Sequence, residues 1–503
     1  MEKYKIEKYI SKLNDENNIK EILNIKNEEF DKKVEYISYN SKDIKNDTLF
    51  ICKGASFKKE YLEQAISSGA TIYMSEVDYK VNIPAIIVND IKKAMSVVAT
   101  IYYNNPQNDL NIIGITGTKG KSTTTYYLKS ILDEYANKNS KKDTAVVSTI
   151  DTYLGKETFK SFLTTPENLD LIKDFFIAKE NNIKNLVMEV SSQALKYDRV
   201  YKVNFETAIF TNISEDHISP IEHPDFDDYF NSKLKIFEKC KNACINLDAD
   251  FSDVIYKKAK EKAKQIVTYS VSNKDADIYA YDIKKDGLNT VFKVKSEKFL
   301  IDDDFLLSMP GLFNVENAMA AISCACLMNI PVKYIKDGLK NARVKGRMQI
   351  VKSDDGKIIS IIDYAHNKVS FEKIFETVKK EYNDRKIITV FGCPGSKAQI
   401  RRKDLGEVSS LNSDYIVITE DDPQYEDTES ICLEIANFVK INNKNYKIII
   451  NREEAIKYSV EFAKKMDEKV VLLLLGKGDE TAQKVLGKKV EYGGDFKIVS
   501  QYI

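Results

Sequence analysis

Short apolar runs recur along this chain, each followed by glycine, proline or acidic residues and then by a stretch whose apolar positions repeat with helical spacing. That alternation predicts an α/β fold throughout. Residues 1–108 carry β-like runs at 48–52, 71–74 and 85–88, with a helical stretch at 59–68, and read as a small N-terminal α/β module. Residues 109–342 open with a strand at 111–115 and continue with strands at 144–148, 185–190 and 207–210 among helices, forming a central domain. Near its end Gly311-Leu312-Phe313-Asn314-Val315-Glu316-Asn317 leads into a helix over 315–330. Residues 343–503 hold buried-looking runs at 358–362, 387–391, 415–419, 447–450 and 470–475, each followed by a loop and a helical stretch. This is the pattern of a doubly wound, Rossmann-like, mostly parallel sheet. The expected architecture is therefore three domains.

Ligands of such sheets bind beyond the carboxyl ends of the strands. In the third domain those ends carry Asp363-Tyr364-Ala365-His366, Gly392-Cys393-Pro394-Gly395, Glu420-Asp421-Asp422-Pro423 and Gly476-Lys477-Gly478-Asp479-Glu480. In the central domain the first strand runs into Gly114-Ile115-Thr116-Gly117-Thr118-Lys119-Gly120-Lys121-Ser122-Thr123. Glycines let successive backbone N–H groups turn toward one anion, so residues 117–123 read as a triphosphate cradle of P-loop type. Lys121 would reach the outer phosphates and the Ser122 hydroxyl would ligate Mg²⁺. The strict P-loop wants glycine where Ile115 stands.

Two further features carry chemistry. Glu189, in Met188-Glu189-Val190-Ser191-Ser192, ends an apolar strand and can hold Mg²⁺; the Asp-x-x-Gly of a GTPase is absent there, which argues against that class. His217 follows Asp216 on a loop after a strand and is a candidate ligand or acid/base group, with Asp228-Tyr229-Phe230-Asn231-Ser232-Lys233 downstream.

Composition narrows the class. Lys plus Arg and Asp plus Glu number 76 each in 503 residues, so no basic field draws nucleic acid or anionic lipid, and neither is an expected partner. No apolar stretch reaches the ~20 residues that span a bilayer, and the amino terminus lacks a signal core, so the chain is expected in the cytoplasm. The seven cysteines, at 52, 240, 244, 324, 326, 393 and 432, lack paired zinc spacing and read as reduced thiols.

Taken in order, Thr116 to Thr123, Thr164-Thr165-Pro166, Met188 to Ser192, Thr211 to His217, Gly346-Arg347-Met348 and Asp363 to His366 resemble the motif series of the Mur ligases, most closely the MurE type. The resemblance implies an ATP-dependent amide ligase that adds the third amino acid to UDP-N-acetylmuramoyl-L-alanyl-D-glutamate through an acyl phosphate. It implies that Ser41, Thr164, Thr165, Ser191 and Arg199 hold the UDP-sugar-dipeptide. Residues 117–123 would hold ATP, met by Asn317, Arg347 and Asp363. Glu189, His217, Ser122 and a CO₂-derived carbamate on Lys233 would surround Mg²⁺. Lys121, His217 and Lys233 would be the catalytic set. A monomer is expected.

The third domain should choose the amino acid. MurE enzymes that take meso-diaminopimelate generally show Asp-Asn-Pro-Arg, whose arginine binds the distant carboxylate; here the match is Asp421-Asp422-Pro423-Gln424. Asp422 and Asp479 add negative charge, and Gly395 to Arg402 also looks more like the lysine-adding branch, with Arg402 on the α-carboxylate and Gly476 and Glu480 lining the same site. The resemblance thus favours L-lysine, with D-lysine, ornithine or meso-diaminopimelate as alternatives. Folylpolyglutamate synthase, a catalytically silent relative and a nucleotide-dependent switch or binding protein are the competing readings.

Overall fold

In the computed structural model, which describes every residue except 1, 55, 162, 217, 220, 221, 397, 398 and 444, the apolar runs become strands and the fold is α/β. The chain divides into two compact units. One comprises residues 1–281, 294–303 and 316–339; the other comprises 282–293, 304–315 and 340–503.

The first unit begins with a sheet in the order Ile19–Leu23, Ala85–Val88, Ala70–Ser75, Thr48–Ile51, Tyr36–Ser38, parallel except at Ile19–Leu23. Both faces are covered over the three inner strands Thr48–Ile51, Ala70–Ser75 and Ala85–Val88, which are therefore buried on both sides at nearly every position. Leu49, Ile51, Ile72 and Met74 join one core with helices Ile6–Asp15 and Ile91–Tyr102, whereas Phe50 and Tyr73 pack with Leu62 and Ala65 of helix Lys59–Ser67. The period of two along a strand separates the two sets.

The same unit holds a second sheet, with Gln265–Ser270, Cys240–Asn246, Phe205–Phe210, Asn111–Thr116, Asn185–Glu189 and Ala145–Val147 adjacent and parallel in that order. Its register sets Glu189 beside Ile115 and Phe210 beside Thr116. Two strand ends therefore flank the segment that leaves Thr116.

In the second unit the sheet order is Gln349–Lys352, Ile358–Asp363, Val470–Leu475, Lys386–Phe391, Tyr415–Ile418, Tyr446–Ile448, parallel except at Gln349–Lys352. Val470–Leu475 is wholly buried because it lies inside the sheet with helices such as Arg452–Lys465 packed on it. The late strand sits between two earlier ones, which leaves a crevice at the carboxyl ends where Asp363, Gly392, Glu420 and Gly476 emerge.

Several elements depart from the sequence reading. The antiparallel edge strands Ile19–Leu23 and Gln349–Lys352, the strands Asp151–Tyr153 and Thr158–Lys160, and the hairpin Ala482–Val485 with Lys488–Glu491 have no apolar run behind them. They are short and partly or, at Thr158–Lys160 and Lys488–Glu491, wholly exposed, so pairing rather than pattern makes them strands. The helix expected over 315–330 spans Leu312–Leu327. Among the described residues, no helix is long and apolar enough to cross a membrane.

Candidate functional site

In the first unit the segment after Thr116 folds around its own glycines. Gly117 has φ +146° and Gly120 has φ +83°; a Cβ on Gly117 would fall 2.0 Å from Thr211 Oγ1, and one on Gly120 would fall 2.0 Å from Asn317 Oδ1. Only glycine fits positions that combine left-handed backbone with such close approach. Gly120 then caps helix Lys121–Lys138, and first-turn N–H groups at such a helix start are able to bind an anion.

The strand ends brace this loop. Thr118 N–H donates to the Asn212 carbonyl (3.0 Å), Lys119 N–H to Asn212 Oδ1 (2.9 Å) and Thr211 Oγ1 to the Lys119 carbonyl (2.8 Å). Lys121 Nζ curls back on the carbonyls of Gly117 (2.8 Å) and Thr118 (3.2 Å), while Lys119 pairs with Asp216 (2.9 Å). Ser122 and Thr123 are buried in the first helical turn. Asn317 stands against Gly120, where the sequence reading wanted a nucleotide contact.

Glu189 is buried at the end of its strand. Its carboxylate accepts from Thr149 N–H (2.9 Å) and Thr149 Oγ1 (3.1 Å). Lys233, on helix Phe226–Leu234, is also buried, and its Nζ donates to the Gly117 carbonyl at 2.9 Å and sits 4.7 Å from the Tyr229 ring centroid. Burial, reinforced by the neighbouring Lys121 charge and opposed by Asp216, pushes the Lys233 pKa well below the ordinary lysine range. His217 lies outside the described residues. A divalent cation held by phosphate oxygens needs only one or two protein carboxylates or hydroxyls, and Glu189 and Ser122 are donors of that kind.

The residues expected on the sugar nucleotide fall into two groups. Ser41 lines a cavity of about 540 Å³ with Tyr36, Tyr39, Lys42, Lys53 and Asp170, and its hydroxyl donates to Gln64 (2.9 Å). Thr165 is wholly buried and ties the Glu189 carbonyl (2.9 Å) to Ser191 N–H (3.0 Å), so its hydroxyl serves the frame. Thr164 accepts from Thr149 (3.1 Å), and Ser191 Oγ caps Ala194 N–H (3.1 Å). Arg199 donates to the Thr165 carbonyl (3.2 Å) and pairs with Glu167 (3.1 Å), which pairs in turn with Lys53 (2.7 Å). The Lys53–Glu167–Arg199 chain joins residues far apart in sequence, so no local signal announced it.

His223, for which the sequence offered no role, is wholly buried between Asp228 (2.5 Å to Nδ1) and Ser192 Oγ (2.9 Å to Nε2). The connectivity matches a nucleophilic triad, but Ser192 is itself buried and Lys196 shares Asp228 (2.7 Å). The trio pins the segment before helix Phe226–Leu234.

In the second unit Asp363 accepts from the N–H groups of Met348 (2.7 Å) and Ala365 (2.8 Å), and Arg347 lies 4.6 Å from the Tyr364 ring centroid. Arg347 and Asp363 therefore share one corner of this unit, while the glycine loop at 117–123 belongs to the other. Arg402 is buried, with its guanidinium on Glu434 (2.5 Å) and Glu426 (2.6 Å). Gln424 has φ +57° and is bonded through its backbone to Lys484 and Leu486 of the hairpin.

At the centre of this crevice stands Lys477, wholly buried and missed by the sequence reading. It pairs with Glu480 (2.5 Å), Asp422 (2.8 Å) and Asp421 (3.7 Å). Burial opposes its charge, but Asp421, Glu480 and Asp422 together outweigh that cost and hold its pKa above the ordinary lysine range. Burial raises the Glu480 carboxyl, with Lys477 working against the rise. Among the described residues, three carboxylates against one ammonium leave the cluster net negative. The charge of Asp422, expected to face a ligand, is shared with Lys477.

Residues 115–325 match the family model "Mur ligase middle domain", and residues 346–478 match "Mur ligase, glutamate ligase domain". A UDP-N-acetylmuramoyl-L-alanyl-D-glutamate--L-lysine ligase of Streptococcus agalactiae is 40% identical over 471 residues, which cover 93% of this chain and 92% of that protein. The ligase of the same name from Enterococcus faecalis is 39% identical over 477 residues, with 94% and 92% covered. Among solved structures, a UDP-N-acetylmuramoyl-L-alanyl-D-glutamate--2,6-diaminopimelate ligase superposes with TM-score 0.68 at 22% identity, covering 100% of this chain and 99% of its own. A MurF ligase from Thermotoga maritima in complex with ADP gives TM-score 0.58 at 15% identity over 89% and 94%. At such identities the superpositions establish the fold.

Proposed function

Because the chain belongs to the Mur ligase family of ATP-dependent carbon–nitrogen ligases, we propose that it joins L-lysine to the D-glutamate γ-carboxylate of UDP-N-acetylmuramoyl-L-alanyl-D-glutamate in peptidoglycan precursor synthesis. One observation carries the choice of amino acid: the net-negative cluster of Asp421, Asp422 and Glu480 around Lys477, with Gln424 where diaminopimelate enzymes carry arginine. A distal ammonium is welcome there. A distal carboxylate would meet like charge and lose a charge-assisted contact of roughly 1.5–3 kcal/mol.

The chemistry follows from what each group can do. The γ-carboxylate attacks the γ-phosphorus of ATP, breaking the bond to the bridging oxygen and releasing ADP, and the resulting acyl phosphate is a good acyl donor. The neutral amine of lysine attacks the acyl carbon, phosphate departs and an amide forms. Lys121 neutralises phosphoryl oxygens, and the N–H groups of the loop and of the first helical turn do the same without a charge to desolvate. Bound Mg²⁺, held by Glu189 and Ser122 with His217, would supply further charge neutralisation at the phosphates.

Lys233 fits a finer role. A buried amine driven toward its neutral form has the free electron pair that adds to CO₂, giving a carbamate and a proton, and so becomes an anion beside the loop. The cavity around Ser41, with its tyrosines and lysines, suits a uracil ring and a diphosphate. Arg199 suits an anionic part of the same substrate. The reaction would run in the cytoplasm with the chain acting as a monomer.

Purified protein, ATP, Mg²⁺ and the UDP-muramoyl-dipeptide, offered lysine or meso-diaminopimelate, test the proposal by product mass. A lysine adduct formed with stoichiometric ADP is expected. Preference for diaminopimelate, or ATP turnover indifferent to both substrates, would sink it.

A further inference from the structure

Arg452 opens helix Arg452–Lys465 and is wholly buried, as is Asp495 at the start of helix Asp495–Tyr502. Their side chains meet along two contacts, Nε to Oδ1 at 2.8 Å and Nη2 to Oδ2 at 2.6 Å. The same guanidinium reaches two backbone carbonyls. Nη2 donates to Leu475 (3.0 Å) and Nη1 to Glu420 (3.4 Å), while the Arg452 N–H donates to Glu420 Oε1 (3.1 Å). Tyr492 completes the group, its hydroxyl 2.9 Å from Asp495 Oδ1 and 3.0 Å from the Glu480 carbonyl.

The carbonyls so held are not arbitrary. Leu475 immediately precedes Gly476-Lys477, and Glu420 immediately precedes Asp421-Asp422. Strand Lys386–Phe391 separates the two strands concerned, so no sheet hydrogen bond sets their relative spacing directly. A buried ion pair is a weak source of net stability, because desolvation offsets its Coulomb gain. A planar fork can nonetheless bind a carboxylate bidentately and two carbonyls at once, four hydrogen bonds in fixed geometry, whereas a lysine ammonium has only three donors.

We propose that Arg452, clamped by Asp495 and Tyr492, is a positioning residue for the incoming amino acid: it fixes the spacing of Asp421 and Asp422 against Lys477 and Glu480, and thereby sets affinity for that substrate without touching it. The inference rests on reading that cluster as the amino-acid site.

Steady-state kinetics of the full-length enzyme and its Arg452→Lys variant form the first arm, with Tyr492→Phe as the milder change should the lysine variant fail to fold. The expected result is a KM for lysine raised roughly tenfold or more, with KM for ATP and for the UDP-precursor held within about twofold. A lower melting temperature with every KM unchanged would overturn the inference, since that is all a structural role would move. The second arm is amide hydrogen exchange, which needs no turnover. Faster exchange confined to residues 420–422 and 475–477, with 117–123 unaltered, supports the clamp, and exchange equal to the parent protein overturns it. A parent enzyme that joins no amino acid defeats the ligase reading instead, and the exchange arm still decides the clamp.

Discussion

Lys233 Nζ donates to the Gly117 carbonyl across 2.9 Å, so a buried lysine touches the backbone of the glycine loop itself. An ammonium there is repelled by Lys121 and stripped of water. A carbamate would reverse the sign. Enzyme freed of CO₂ should regain activity on adding bicarbonate, and ¹³CO₂ should give a carbamate signal that Lys233→Ala lacks. That variant should lose at least ~100-fold in kcat. Full activity without CO₂ would refute the carbamate.

Gly120→Ala addresses the loop. The new Cβ would meet Asn317 Oδ1 at 2.0 Å from a backbone at φ +83°. Both the clash and the strain fall on the loop, so kcat/KM for ATP should drop by roughly 100-fold or more. Adding Asn317→Ala removes the clash but leaves the backbone strain and also removes the side chain expected to meet the nucleotide, so it should restore at most part of the loss. Unchanged ATP kinetics in the single variant would show that the loop does not hold the nucleotide.

Gln424→Arg concerns selectivity. Gln424 already occupies left-handed backbone, so arginine adds no new backbone strain. The ratio of diaminopimelate to lysine use should rise at least ~10-fold, the value of one charge-assisted contact. Competition between the two amino acids, read by product mass, measures it, and an unmoved ratio would remove the selectivity argument.

Asp174, on helix Asn168–Glu180 one turn from Asp170, has its carboxyl pushed up to about 7 by burial and by the Asp170 charge, with Lys173 opposing. The sign follows from comparison with an unfolded carboxyl near about 4. Below that pH both states are protonated. As pH rises from about 4 to about 7 the unfolded chain releases its proton first, so stability falls across that window and levels off above it. Asp174→Asn should therefore melt higher than the parent at pH 8 and equal to it near pH 4. A constant difference at both pH values would contradict this.

How much of this was legible in the residues varies by feature. Strand Val470–Leu475 was readable to its ends because an apolar run this short, bounded by Lys469 and Gly476, is too brief for a buried helix and fits a strand covered on both faces. The loop at 117–123 was readable because glycines, a lysine and a hydroxyl encode backbone shape and charge within one short segment. Gln349–Lys352 was not, since an edge strand borrows its conformation from a neighbour. Arg402 is expected on the α-carboxylate of the amino acid, and its buried engagement with Glu426 and Glu434 depends on helices brought together by packing, which no local stretch of sequence announces.

The amino-acid order alone determined the alternation of strands and helices, the glycine-rich turn at 117–123 and the family to which the motifs belong, because these depend on neighbours in the chain. Tertiary structure decided which charges meet. Only packing could bury Lys477 among Asp421, Asp422 and Glu480, set Arg452 on Asp495, or chain Lys53 to Glu167 and Arg199. Charge pairing in a dry interior is governed by distance and local dielectric, and neither quantity is written in any local stretch of sequence.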